Sequence, residues 1–206
     1  MIIKVCGMCD PENIHCLEDL DIDYMGFIFY PASPRYVTGH DGQINAIRKS
    51  KKKKVGVFVN EDVSQIVDIA QAYQLDSIQL HGNESPETCR ILRKKGFQII
   101  KALPIASVDD FTPTEAYVNN VDYLLFDTKC AGYGGSGNRF DWSLLREYKA
   151  PTPFLLSGGL TADCLYDIKR FEHQQFAGID LNSGFEISSG VKDVSEIKKF
   201  LYQIKK

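Results

Sequence analysis

Two cysteines, Cys6 and Cys9, lie in the stretch VCGMC with two residues between them, directly after an apolar run. In a reducing compartment this C-x-x-C spacing is typical of a redox pair or of half of a zinc site. A zinc site needs more ligands, and the sequence has neither a second C-x-x-C nor paired histidines. We therefore interpret Cys6 as one reactive thiol at a strand end and Cys9 as a loop thiol.

A second chemical signal consists of two glycine-containing turns near the C-terminus, SGGLT and NSGFE, each of which follows an apolar run. Gly158 and Gly159 in the first turn, with Ser183 and Gly184 in the second, would present main-chain N–H groups at helix N-termini. That arrangement binds phosphate. One glycine pair alone would indicate only a tight turn, whereas two in successive turns favour a phosphate site.

Eight short apolar runs position these groups, and most are separated by segments of helical periodicity. Nearly continuous hydrophobic runs are typical of parallel strands that helices cover on one side. We therefore predict one (β/α)8 barrel over residues 1–206, with a doubly wound open sheet as the alternative. The fifth helix is expected to be short or degraded, because its segment contains Pro113 and weak periodicity. The predicted strands are 2–6, 24–29, 54–59, 76–81, 98–103, 121–127, 153–158 and 176–181.

The composition is that of an ordinary globular protein, with 206 residues, 44% of them hydrophobic, and a net charge of −3. No apolar run approaches the roughly 20 residues that cross a bilayer, and the N-terminus lacks the features of a signal peptide. We therefore expect a cytoplasmic protein with free thiols and without nucleic-acid or membrane partners.

In such a barrel the chemistry lies at the carboxyl ends of the strands. Arg35, His81 and Asp127 follow or end predicted strands there, as Cys6 does. The glycine-rich segment after Asp127, which contains Gly135 and Gly137, is a candidate lid. The basic run RKSKKKK instead precedes a strand, so it is predicted to lie on the opposite face as a solvated charge run.

Taken together, these stretches resemble the phosphoribosylanthranilate isomerase family over nearly the whole chain and in the same order. The resemblance implies a barrel of the ribulose-phosphate-binding type and a role in tryptophan biosynthesis. The matching stretches are KVCG, GFIF with SPRYV, VGVFV, QLHG, FDT with GGSGNRFDW, LSGGLT, and GIDLNSGFE with GVKD.

The resemblance implies an Amadori rearrangement of N-(5-phosphoribosyl)anthranilate without metal or cofactor, in a monomer or homodimer that binds a small phosphosugar. It makes Cys6 the general base and Asp127 the general acid. Arg35 is then the candidate for the anthranilate carboxylate, because its planar fork suits bidentate binding. His81 either contacts the substrate or forms a hydrogen bond within its loop, and these two readings stay open.

Side chains alternate along a strand, so an inward Cys6 implies an inward Lys4 one layer below it. A buried lysine needs a partner, and Asp180 near the end of the last strand is the candidate. The alternative is a bulge that turns Lys4 outward. If Lys4 points inward, we expect its charge to lower the pKa of Cys6.

Two other functions remain as alternatives. One is a different enzyme on the same phosphate-binding barrel. An indole-glycerol-phosphate synthase would show a lysine acid and paired glutamates at strand ends, and this set is not found there. The paired aspartates and metal-ligating histidines of a ribulose-phosphate epimerase are not found either. The other alternative is a non-catalytic barrel in which Cys6 and Cys9 act as a redox sensor.

Overall fold

The computed structural model describes residues 1–129 and 140–206. Eight parallel strands form a closed barrel in sequence order, because the first strand also pairs with the last. The predicted (β/α)8 barrel is confirmed, and the open sheet is excluded. The strands are β1 (Ile2–Val5), β2 (Tyr24–Ile28), β3 (Lys53–Phe58), β4 (Ser77–Leu80), β5 (Gln98–Ile105), β6 (Tyr123–Thr128), β7 (Phe154–Leu156) and β8 (Phe176–Leu181).

Helices cover the outside of the barrel, and local signals account for where several of them begin. Asp10 accepts a hydrogen bond from the main-chain N–H of Asn13, and Ser85 does the same for Thr88, so both act as N-caps before a proline. The α-helices of the described residues are α1 (Pro11–Leu17), α2 (Asp41–Lys49), α3 (Val63–Tyr73), α4 (Pro86–Lys94), α5 (Thr114–Tyr117), α6 (Leu165–Arg170) and α7 (Val194–Ile204).

The later connections are less regular than the earlier ones. The fifth contains a 3₁₀ turn at Val108–Phe111 and then the four-residue helix α5, which confirms the prediction of a short fifth helix. The described part of the sixth contains a 3₁₀ segment, Trp142–Glu147, instead of an α-helix. The sequence did not predict the small hairpin of β9 (Glu186–Ser188) and β10 (Val191–Lys192) that follows β8.

Alternation along the strands separates two groups of buried side chains. A small group that includes Tyr24, Val55 and Leu125 fills the amino-terminal half of the barrel interior. A much larger group packs between the strands and the helices. The carboxyl-terminal half of the interior contains polar as well as apolar residues, so the apolar layers below support a partly polar site above. None of the described helices combines the length and the apolar character needed to cross a bilayer.

A buried ion pair outside the barrel fixes the loop after β4. Lys101 on β5 lies 3.0 Å from Glu84, and both side chains are almost fully buried. The Lys101 ammonium also donates to the carbonyl oxygens of Leu80 and Gly82, while Glu84 accepts from the main-chain N–H of Asn60. These bonds tie the end of β4, which carries His81, to its neighbouring strands.

We expect Lys101→Met to lower the free energy of unfolding by about 3–5 kcal/mol, because Glu84 would remain buried without its cation. The double variant Lys101→Met/Glu84→Gln should regain most of that loss. Urea denaturation followed by circular dichroism measures both. Lys205→Met, which removes the partner of the exposed Asp21, is the control and should leave stability unchanged. A Lys101→Met protein as stable as this control would contradict the assignment.

Candidate functional site

A cavity of about 330 Å³ opens at the carboxyl ends of the barrel strands. Part of its wall is apolar, formed by Ile28, Val57 and Val59, and the rest is polar. Lys4 lies below it, and Gly135 and Gly137 of the predicted lid lie outside the described residues. The structure thus brings most predicted site residues together around one cavity. These are Cys6, Arg35, His81, Asp127, Gly158, Gly159, Asp180, Ser183 and Gly184.

Cys6 directly follows β1 and points into the barrel, where it is 3% exposed. Its main-chain N–H donates to the carbonyl of Leu181, which continues the pairing of β1 with β8. Gly26 on β2 makes room for the thiol, because a Cβ there would lie 2.7 Å from Cys6 Sγ. Local strand alternation and one glycine therefore position the thiol.

Lys4 also points inward, so the alternative with a bulge is wrong. Its ammonium nitrogen lies 2.8 Å from Asp180 Oδ2, inside the barrel where neighbouring β1 and β8 place the two residues in register. Burial lowers the pKa of Lys4, but the charge of Asp180 and the nearby Cys6 together raise it above its ordinary value. Lys4 is thus a stable cation directly below the thiol.

Burial is the largest influence on the Cys6 thiol, and it raises the pKa. Lys4 acts in the expected direction and lowers that pKa, while Asp180 raises it again. The net pKa of Cys6 lies above the ordinary thiol value. Desolvation of the thiol therefore outweighs the charge of Lys4.

Asp127 is the last inward-facing residue of β6, and it is largely buried. Its Oδ1 accepts a hydrogen bond of 2.8 Å from the main-chain N–H of Thr128, and its Oδ2 lies 3.5 Å from His81 Nε2. Gly158 packs tightly against this carboxyl, since a Cβ there would lie 2.8 Å from Asp127 Oδ1. His81 therefore stands beside the carboxyl group at the cavity wall.

Arg35 forms an ion pair with Glu186, a residue that the sequence analysis did not identify. Its Nε and Nη2 donate to the two carboxylate oxygens of Glu186 at 2.8 and 2.5 Å. Lys192 donates to the same carboxylate at 2.5 Å and to Asn182 at 2.8 Å. Burial raises the pKa of Glu186, but the hydrogen bonds from Arg35 and Lys192 outweigh it and hold the pKa below its usual value.

Two cations and one anion leave this cluster of Arg35, Glu186 and Lys192 with a net positive charge at the cavity rim. Glu186 and Lys192 both belong to the unpredicted hairpin after β8. The stretches GFE and GVKD contained the only sequence signal for them. Gly7 lets Arg35 approach, because a Cβ there would lie 2.5 Å from Arg35 Cδ.

The glycine turns after β7 and β8 pack against each other. Gly158 and Gly159 adopt positive φ angles of 84° and 64°, which glycine alone adopts without strain. A Cβ on Gly184 would lie 2.1 Å from the carbonyl oxygen of Leu160, so the two turns touch through their main chains. The predicted α-helix N-termini are instead 3₁₀ turns, Ala162–Cys164 and Ser183–Phe185.

Cys9 does not line the cavity and lies against Gly190 of the β9–β10 hairpin. Its sulfur lies 3.7 Å from the carbonyl oxygen of Gly190, and the cysteines of residues 1–129 and 140–206 are all free thiols. Within the same residues, no cluster of three or more His, Cys, Asp or Glu side chains is arranged to hold a metal ion.

Comparisons with known proteins agree on one family. The family model described as N-(5'phosphoribosyl)anthranilate (PRA) isomerase matches residues 3–203. The chain is similar to the N-(5'-phosphoribosyl)anthranilate isomerase of Parabacteroides distasonis, with 53% identity over 99% of this chain and 93% of the relative. It is 47% identical to the same enzyme of Phocaeicola vulgatus, over 100% of this chain and 98% of the relative.

Solved structures of this enzyme share the fold. The crystal structure of phosphoribosyl anthranilate isomerase from Thermotoga maritima aligns with a TM-score of 0.84 and 33% identity, covering 100% of this chain and 99% of that one. A structure in complex with reduced 1-(o-carboxyphenylamino)-1-deoxyribulose 5-phosphate aligns with a TM-score of 0.80 and 30% identity, over 100% and 99% of the two chains.

We expect Lys4→Met to raise the pKa of Cys6 further, because the lowering influence of the Lys4 charge is lost. The double variant Lys4→Met/Asp180→Asn should show a smaller rise, since Asp180 acts in the opposite direction. The pH dependence of Cys6 alkylation by iodoacetamide measures both, with Cys6→Ser as the blank for the other thiols. An unchanged Cys6 titration in both variants would remove this role of Lys4.

Proposed function

The chain belongs to the N-(5'-phosphoribosyl)anthranilate isomerase family, and we propose that Cys6 and Asp127 perform the Amadori rearrangement of that enzyme in the cavity described above. The reaction converts N-(5-phosphoribosyl)anthranilate, an aminoaldose, into 1-(2-carboxyphenylamino)-1-deoxyribulose 5-phosphate, an aminoketose of tryptophan biosynthesis. One observation carries the proposal: a thiol from the first strand end and a carboxyl from the sixth line the same cavity.

The rearrangement needs an acid and a base at different atoms of the sugar. Asp127 protonates the ring oxygen, and the ring opens to an iminium ion between C1 and the anthranilate nitrogen. Cys6, as the thiolate after its own proton has passed to solvent water in the open cavity, then takes the proton from C2, which gives an enolamine that tautomerises to the ketone. Groups of this kind typically contribute about 10²–10⁴ each to the rate.

The raised pKa of Cys6 is compatible with this role once the substrate is bound. The iminium ion places a positive charge one bond from C2, and an opposite charge nearby favours the thiolate. The same charge makes the C2 proton more acidic. The proton transfer to Cys6 is therefore easiest after Asp127 has acted, so the two steps occur in a fixed order.

The two anionic ends of the substrate have separate binding regions. The glycine turns after β7 and β8 offer main-chain N–H groups to the phosphate. Glu186 fixes the Arg35 guanidinium through Nε and Nη2, and Nη1 makes no hydrogen bond to the described residues, so it can donate to the anthranilate carboxylate. The net positive charge of the Arg35–Glu186–Lys192 cluster favours that anion.

Cys6→Ser and Asp127→Asn should each reduce kcat by at least about 100-fold, because each removes one proton-transfer group. The loss of anthranilate-adduct fluorescence on turnover measures the rate. Cys9→Ser is the matched control and should keep wild-type activity, since Cys9 does not line the cavity. Full activity in both Cys6→Ser and Asp127→Asn would refute the proposal, and a wild-type protein without isomerase activity would favour the non-catalytic redox alternative.

Arg35→Met should raise KM for the natural substrate about 10- to 100-fold, the usual range for losing a hydrogen bond between charged groups. An analogue built on aniline, which lacks the carboxylate, should bind wild-type enzyme weakly and be insensitive to this substitution. Steady-state kinetics with both compounds form the test. An equal rise in KM for both compounds would show that Arg35 does not recognise the carboxylate.

A further inference from the structure

Gln79 lies two residues before His81 on the inward side of β4 and is buried at the base of the cavity, 1% exposed. Its amide nitrogen Nε2 lies 2.9 Å from His81 Nδ1. In this orientation of the amide its nitrogen faces the ring and can only donate, so Nδ1 accepts. A neutral imidazole whose Nδ1 accepts carries its proton on Nε2.

The proton on His81 Nε2 faces Asp127, because Nε2 lies 3.5 Å from Asp127 Oδ2. Contacts of this length in a ligand-free site commonly tighten when the substrate binds. We propose that Gln79 is a positioning residue that fixes the tautomer of His81 and thereby keeps the acid proton of Asp127 directed at the substrate. This inference rests on the proposed role of Asp127 as the general acid.

The physical reason is that His81 Nε2 can only donate in this tautomer. An unprotonated Nε2 would accept the proton of Asp127 and draw it away from the sugar. A protonated Nε2 instead stabilises the carboxylate that remains after Asp127 has given its proton to the ring oxygen. The main-chain N–H of Thr128 supports the same carboxylate through Oδ1.

The amide oxygen of Gln79 indicates that this side chain does more than stabilise the fold. Its oxygen Oε1 is buried and has no hydrogen-bond partner among the described residues. A buried polar atom without a partner is unfavourable for folding, so an apolar side chain would serve the barrel interior better. The amide stands at a residue that lines the cavity, where its nitrogen orders His81.

The first test is the ¹⁵N NMR spectrum of the histidine side chains in the wild-type protein. His40 and His173 are internal references, because main-chain N–H groups of Gln43 and Gln175 donate to their Nδ1 atoms. His81, assigned by its disappearance in His81→Asn, should show the same unprotonated Nδ1. A protonated Nδ1 on His81 would overturn the proposal without the need for any variant at position 79.

The second test is Gln79→Glu, which keeps the shape of the side chain and replaces the amide donor with a carboxylate that only accepts. His81 Nδ1 should then become protonated, and kcat should fall about 10- to 100-fold with KM changed less than about 3-fold. The matched control is Gln98→Glu at the opposite end of the barrel interior, where Gln98 accepts from Tyr24 and Ser77. The control should change neither kcat nor the His81 signal.

Each remaining outcome counts against the proposal. Protonation of Nδ1 in Gln79→Glu without a loss of kcat would show that the tautomer does not matter for turnover. A loss of kcat without a change at Nδ1, or an equal loss in Gln98→Glu, would assign the effect to added charge or to packing. Failure of the Asp127 assignment is separate, since Asp127→Asn would then stay active whatever the wild-type His81 spectrum shows.

Discussion

The ion pair between Lys4 and Asp180 is the contact on which the site depends. It joins β1 to β8, the two strands whose pairing closes the barrel, and both charges are buried inside. Taking two charges out of water is unfavourable unless they are well paired. Lys4 and Asp180 therefore each require the other at this level of the barrel interior. The pair therefore fixes the layer directly below Cys6 and the base of the cavity.

The same burial that orders the site works against the chemistry of its thiol. Desolvation raises the pKa of Cys6 more than Lys4 lowers it. A raised pKa favours the neutral thiol, and a positive charge beside it would shift the balance toward the thiolate. In the mechanism proposed for Cys6 and Asp127, the iminium intermediate supplies that charge at the stage where the base is needed.

Polar groups elsewhere around the barrel follow the same principle of paired burial. Lys101 and Glu84 fix the loop that follows β4, and Glu186 holds Arg35 and Lys192 at the rim. The Lys101–Glu84 and Arg35–Glu186 pairs join segments that are separate in sequence, whereas Glu186 and Lys192 belong to one hairpin. The apolar residues of the barrel interior pack beneath the cavity.

The sequence by itself determined the features that local rules control. Strand β8 has the residues 176–181 that the apolar pattern predicts, and Lys4 points inward because alternation along a strand is a local property. Only the tertiary structure decided the partner of Arg35, which lies 151 residues away in the chain, and the roles open to Gln79. It also decided the direction of the Cys6 pKa shift, because desolvation depends on every segment that folds over the thiol, and no local pattern records that sum.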